Sequence, residues 1–117
     1  GVGYFNDVHE KYPIISPSFN EKLFHNNLFS IEPGYYVPNS YGLRIENLYF
    51  SEIKKGKLKL INVTLVPYEL DLINWSSITN QEKRHIKKYH ETIFTNINSR
   101  LNENEKKQFI KLFIDKL

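Results

Sequence analysis

A chain of 117 residues suffices for one domain with a real core and not for two. Hydrophobic residues make up 40% and charged residues 25%, as in an ordinary soluble globular protein, and no apolar run approaches the roughly 18 residues of a membrane span. The net charge of +3 is dispersed among acids (EIKKGKLK, QEKRHIKKYHE, NENEKK), without the one-sided basic cluster of a nucleic-acid groove, and the lack of cysteine excludes disulfides and thiolate metal sites.

Any metal must therefore be held by His, Asp or Glu, which favours harder ions such as Mn or Mg, with Zn also compatible. Alanine is absent while Asn, Ile and Lys are plentiful, a bias that resembles translation from an AT-rich genome and accounts for the scattered Asn and Lys without giving them a function. The opening GVGYFNDVHE lacks the basic and apolar regions of a signal peptide.

Residues 1–27 read as irregular, with Pro13, Pro17 and the polar NEKLFHNN stretch allowing at most a short strand. LFSIE (Leu28 to Glu32) is expected as a strand and GYYVPNSYG as its turn or loop. GLRIENLYF alternates, with Arg44, Glu46 and Leu48 on one face and Leu43, Ile45 and Asn47 on the other. KKGK is a turn, and LKLINVTLVP is a further strand ending at Pro67, giving three strands in meander order.

After YELDLINW the period changes to that of a helix. Thr79 and Glu82 form a capping box, and Ile86, Tyr89, Ile93 and Ile97 fall on one stripe. A second helix opens near Asn102 with Glu105 three residues on, and turns Phe109, Phe113 and Leu117 inward. The expected class is α+β: antiparallel strands followed by a helical hairpin.

Arg44 and Glu46 lie two apart in a strand and share a face, and hairpin pairing would bring Glu32 near Glu46. On spacing alone this is a common Arg–Glu salt bridge on a solvated face. Against that, both glutamates are flanked by Ile, Leu, Phe and Tyr, which suggests partial burial. A buried carboxylate pair requires a strong positive charge, and a metal is the usual one.

His9 stands in NDVHE, His25 reads as a surface residue, and His85 and His90, near lysines in the first helix, read as solvated. No H-E-x-x-H, P-loop, G-x-S-x-G or G-x-G-x-x-G element is present. Asn62-Val-Thr and Asn74-Trp-Ser fit the glycosylation triplet, which arises often by chance in an Asn-rich chain.

Taken in order, GVGYFNDVHE, SIEPGYY, YGLRIEN, VTLVPYELDLI and WSSITNQEKRHIKKYHETIF resemble the end of the Xaa-Pro aminopeptidase (aminopeptidase P) family, over nearly the whole chain. The match is to the larger eukaryotic cytosolic type, and the EPG and RIEN motifs are shared with prolidase. The resemblance implies the C-terminal portion of a pita-bread fold, with about residues 70–117 as a C-terminal helical extension. It implies two metal ions per complete site, usually Mn, with Zn or Co alternatives. It also implies a cytoplasmic enzyme that cleaves after residue one of peptides with proline at position two.

By the same resemblance, Glu32 of EPG corresponds to a metal-binding glutamate and Glu46 of RIEN to the glutamate that bridges both ions. His9 corresponds to a histidine that contacts substrate and stabilises the tetrahedral intermediate, and Arg44 to an arginine that orients the carboxylate ligands. The Tyr35-Tyr36 pair could wall a proline pocket, although core packing is the expected role.

The family's metal-binding histidine lies in G-H-G-V-G, and this sequence starts at G-V-G. That histidine and both aspartate ligands are thus expected upstream, in a missing N-terminal part of the same protein that acts as partner to this segment. Two of five ligands make a weak, open site, so the isolated chain is expected to be inactive. A homodimer through the C-terminal helices is a further expectation; neither nucleic acid nor membrane is. The competing reading is an inactive pita-bread scaffold that binds peptides.

Overall fold

The computed structural model describes residues 1–16, 18, 20 and 22–117; Pro17 and Glu21, part of the irregular N-terminal stretch, lie outside the described residues. The chain forms two compact units, Gly1–Thr64 and Leu65–Leu117.

The first unit holds five strands: β1 (Leu28–Ile31), β2 (Gly34–Val37), β3 (Tyr41–Arg44), β4 (Asn47–Lys54) and β5 (Lys57–Asn62). They make an antiparallel sheet in the order β1-β4-β5 and a two-stranded β2-β3 ribbon. The meander of three strands is present, with the ribbon as an extension of its first hairpin.

The segment GYYVPNSYG is therefore mostly strand where a turn was expected. Its Tyr and Val residues favour extended backbone, and the reversal is confined to residues 38–40, where Asn39 takes a left-handed φ of 58°. GLRIENLYF is also not continuous, because the ladder breaks at Ile45–Glu46. Pro33 is the cause: it has no N–H to give, so Ile45 N donates to Pro33 O (3.1 Å) without a return bond.

KKGK is the tight turn expected, with Lys55 (φ 51°) and Gly56 (φ 73°) both left-handed, the geometry that matches the twist of a two-residue hairpin. β5 ends at Asn62, short of the expected Pro67. The Asn62 side chain closes a local turn, accepting from Thr64 N and donating to Thr64 O, both at 3.1 Å.

Phe29 is the buried apolar anchor of this unit, and Ser51 is fully buried beneath the loop before β1. The Ser51 hydroxyl donates to Phe24 O (2.6 Å) and accepts from Asn27 N (2.9 Å). His25 is exposed, as expected, but its Nδ1 accepts from Ile53 N (3.0 Å) and fastens that loop to β4.

The second unit begins with short 3-10 turns at Leu70–Leu72 and Trp75–Ser77, followed by α1 (Asn80–Ile97) and α2 (Glu103–Phe113). Both capping boxes form: Thr79 with Glu82, and Asn102 with Glu105. Ile86, Tyr89 and Ile93 are buried on α1 and Phe109 on α2, with Ile97 and Phe113 packed beside them. Phe94 stacks on Phe109 at 5.5 Å between ring centroids. No described helix is long and apolar enough to cross a membrane.

His90 corrects the expectation of solvation, since it is fully buried. Tyr68 N donates to its Nε2 (3.0 Å) and its Nδ1 lies 2.8 Å from Phe113 O, while the rings of Tyr68, Tyr89 and Phe113 surround it. Lysines line α1, but His90 falls one residue after Tyr89, on the margin of the apolar stripe.

Candidate metal site

Ile31 is paired with Asn47 at the end of one ladder, and Gly34 with Arg44 at the start of the next. The register is the same on both sides of the break, so Glu32 falls directly opposite Glu46 and Pro33 opposite Ile45. Because Pro33 and Ile45 occupy the hydrogen-bonded position, Glu32 and Glu46 form a non-hydrogen-bonded pair, whose Cα atoms lie about 4.5 Å apart. Two like charges so placed destabilise a hairpin unless a cation intervenes.

Arg44 is that cation in this chain. It lies on the same face as Glu46, two residues away, and diagonal to Glu32. Its Nη1 reaches Glu32 Oε2 at 3.0 Å and its Nη2 reaches Glu46 Oε2 at 3.3 Å. A planar guanidinium can offer two nitrogens to two carboxylates, which an ammonium on a flexible stem does poorly.

Glu32 is half-buried, with its side chain 25% exposed, while Glu46 at 38% and Arg44 at 48% are more open to solvent. Partial burial of both glutamates, expected from their apolar neighbours, thus holds for Glu32, while Glu46 is exposed. The other oxygen of Glu32, Oε1, accepts from the Ser30 hydroxyl at 2.7 Å. Sequence reasoning passed over Ser30, although the S-x-E spacing puts its side chain beside Glu32 on one strand face.

Tyr36 lies on this same face, across the hairpin. A Cβ at Gly34 would meet its hydroxyl at 2.6 Å, and one at Gly42 would meet its Cδ1 at 2.6 Å. The two glycines thus leave the space in which the ring lies flat, ending over Gly34, opposite Arg44. Tyr35 and Tyr36 are 60% and 63% exposed, so the expected core packing is not found.

The start of the chain runs beside β1, with Val2 N donating to Leu28 O at 2.8 Å. The nitrogen of Gly1 donates to Pro13 O (2.9 Å) and to Lys11 O.

His9 is exposed, and its backbone N–H bonds Asp7 Oδ1 (2.9 Å) in a loop that Glu10 ties together by accepting from Phe5 N and Asp7 N. Among the described residues no hydrogen bond or ion pair joins the His9 ring to either glutamate. The structure therefore brings Glu32, Arg44 and Glu46 together and leaves His9 apart. Nor does any group of three or more His, Asp or Glu among the described residues form a potential metal cluster.

Residues 1–51 match the model of metallopeptidase family M24, and residues 56–112 match the model of the C-terminal region of that peptidase. The chain belongs to metallopeptidase family M24. A probable Xaa-Pro aminopeptidase P of Coprinopsis cinerea is 36% identical over 92% of this M24 chain and 19% of its own length. A putative Xaa-Pro aminopeptidase of Saccharomyces cerevisiae is 38% identical over 83% of the chain and 14% of its own. The crystal structure of X-prolyl aminopeptidase from Caenorhabditis elegans, described as a cytosolic enzyme with a di-nuclear active site, superposes with a TM-score of 0.74 at 27% identity. That match covers 96% of the M24 chain and 20% of the other. The chain thus spans about a fifth or less of the relatives it matches, and its α+β order of strands then helices is that of the corresponding part of a pita-bread enzyme.

Proposed function

We propose that this chain is the C-terminal part of the catalytic domain of a metal-dependent aminopeptidase, which releases the first residue from peptides with proline at the second position. The observation that carries the reading is the carboxylate pair of Glu32 and Glu46, opposed across one hairpin face in an M24 chain. On this reading residues 70–117 are a C-terminal helical extension, and the protein acts in the cytosol.

The donor set present fits divalent cations in part. Two carboxylates at adjacent cross-strand positions offer hard oxygen donors, suited to Mn as well as to Zn or Co. They are too few to hold an ion firmly, so the remaining ligands come from the rest of the protein.

Two bound divalent ions would supply Lewis acidity to the scissile carbonyl and to the attacking water. The residues of this chain do the positioning. Glu32 is fixed through one oxygen by Ser30 and through the other by Arg44. Glu46, held at one oxygen by Arg44, stands opposite it as the second ligand. Proline at the second position offers no N–H, so its recognition depends on shape, and the exposed ring of Tyr36, on the same hairpin face as the carboxylates, is suited to part of an apolar wall.

The test is release of the N-terminal residue from an Xaa-Pro-Pro peptide by the longest natural protein containing this sequence, with Mn added. Cleavage that is lost with chelator supports the reading. Absence of cleavage in a protein that still binds the peptide overturns it in favour of a peptide-binding scaffold.

A further inference from the structure

Glu32 differs from Glu46 in having a neutral partner as well as a charged one. Ser30 precedes it by two residues on β1, and its Oγ–H donates to Oε1 at 2.7 Å, while Arg44 holds Oε2 at 3.0 Å from the other strand. The carboxylate is thereby fixed at both oxygens, and rotating it breaks at least one of these bonds. Ser30 itself is half-buried, between half-buried Leu28 and Glu32 along its face.

The two partners respond differently to an arriving cation. The Arg44 guanidinium carries charge of the same sign as a metal ion and is repelled by it, so its hold weakens as the site fills. The Ser30 hydroxyl bears no net charge and can keep one lone-pair direction of Oε1 engaged while the others remain available. From this geometry we infer that Ser30 is a positioning residue for Glu32, fixing the orientation in which the carboxylate accepts a divalent cation. The inference rests on the metal-peptidase reading above and adds to it a residue outside the ligand set.

Outer partners of this kind set metal affinity by roughly 10–100-fold. The experiment compares the full-length wild-type protein with Ser30→Ala and Ser30→Thr. Mn affinity is measured by calorimetric titration of the chelator-stripped protein, kcat and KM separately on an Xaa-Pro-Pro peptide, and melting temperature without metal. Ser30→Ala is expected to lose about tenfold in Mn affinity, near the low end of that range, with kcat at fixed sub-saturating Mn falling and KM nearly constant. Ser30→Thr keeps the hydroxyl on a strand-compatible side chain and is expected to restore wild-type affinity.

Wild-type Mn affinity in Ser30→Ala overturns the inference, as does failure of Ser30→Thr to restore it while its metal-free melting temperature matches that of wild type. A wild-type protein that binds no Mn overturns the metal-peptidase reading itself, and this inference with it. Those failures differ in which protein loses binding.

Discussion

Glu32 and Glu46 stand directly opposite each other across a hairpin whose register is unbroken on either side of them. Such a pair is unfavourable in isolation, and Arg44 offsets it by contacting one oxygen of each. The arrangement concentrates negative charge on one face, and the Arg44 guanidinium offsets it in part.

Replacing Glu46 with Ala in the full-length protein should abolish hydrolysis of an Xaa-Pro-Pro peptide and leave the fold intact. The side chain is partly open to solvent and its removal relieves the repulsion from Glu32, so stability should change by no more than about 0.5 kcal/mol. Hydrolysis rate and thermal unfolding check both halves. Activity close to wild type would remove Glu46 from the ligand set.

Arg44→Ala leaves the two carboxylates facing each other with no cation between them. In chelator-treated full-length protein the melting temperature should fall, by the equivalent of at most about 1 kcal/mol because the pair is partly screened by solvent. Added Mn should recover most of that loss, since the ions then neutralise the carboxylates. A loss that Mn leaves unchanged would show that Arg44 acts by packing alone.

His90 gives the second unit a pH dependence of definite sign. Burial holds its pKa below the ordinary 6.5, and the bond to the Phe113 carbonyl opposes this only in part. The unfolded chain therefore takes up the proton first as pH falls. The contribution of neutral His90 is fully present above about pH 6.5 and is lost as pH drops through the lower value of the folded state. Protonation also places an N–H at Nε2 against the Tyr68 N–H, which now donates to it. Denaturant unfolding followed by helical circular dichroism should show lower stability at pH 5 than at pH 7.5, and His90→Gln should flatten that difference. Equal slopes for the two proteins would exclude His90 as the source.

The 117-residue chain alone should show no turnover of an Xaa-Pro-Pro peptide even in excess Mn, because it gathers two carboxylates and no third ligand among the described residues. Turnover by the purified chain at a rate comparable with the full-length protein would refute the divided site.

Much of this was legible in the sequence because local chemistry determined it. The helices announce themselves through Thr79 with Glu82 and Asn102 with Glu105, and the tight turn through Lys55-Gly56. The Glu32, Arg44 and Glu46 cluster followed from strand alternation and one hairpin. What was not legible depended on longer-range packing. The surroundings of His90 are completed by Tyr68 and Phe113, 22 and 23 residues away, and the lysines beside it masked the local signal, its place four residues after Ile86 and three before Ile93 at the edge of the buried stripe. The strand character of GYYV was obscured by Pro33 and Gly34, which read as turn residues although Pro33 only removes one bond from a ladder that continues beyond it.

The shared register on either side of Pro33 makes residue count matter here more than residue identity. Side chains alternate with a period of two, so a single residue gained or lost between Ile31 and Gly34 would turn either Glu32 or everything beyond it to the opposite face. A compensating change between Arg44 and Asn47 would be needed to restore the pairing. Homologous genes should therefore tolerate many substitutions in these two stretches and almost no change in their length, while the reversal at residues 38–40, beyond the charged pair, is free to grow or shrink.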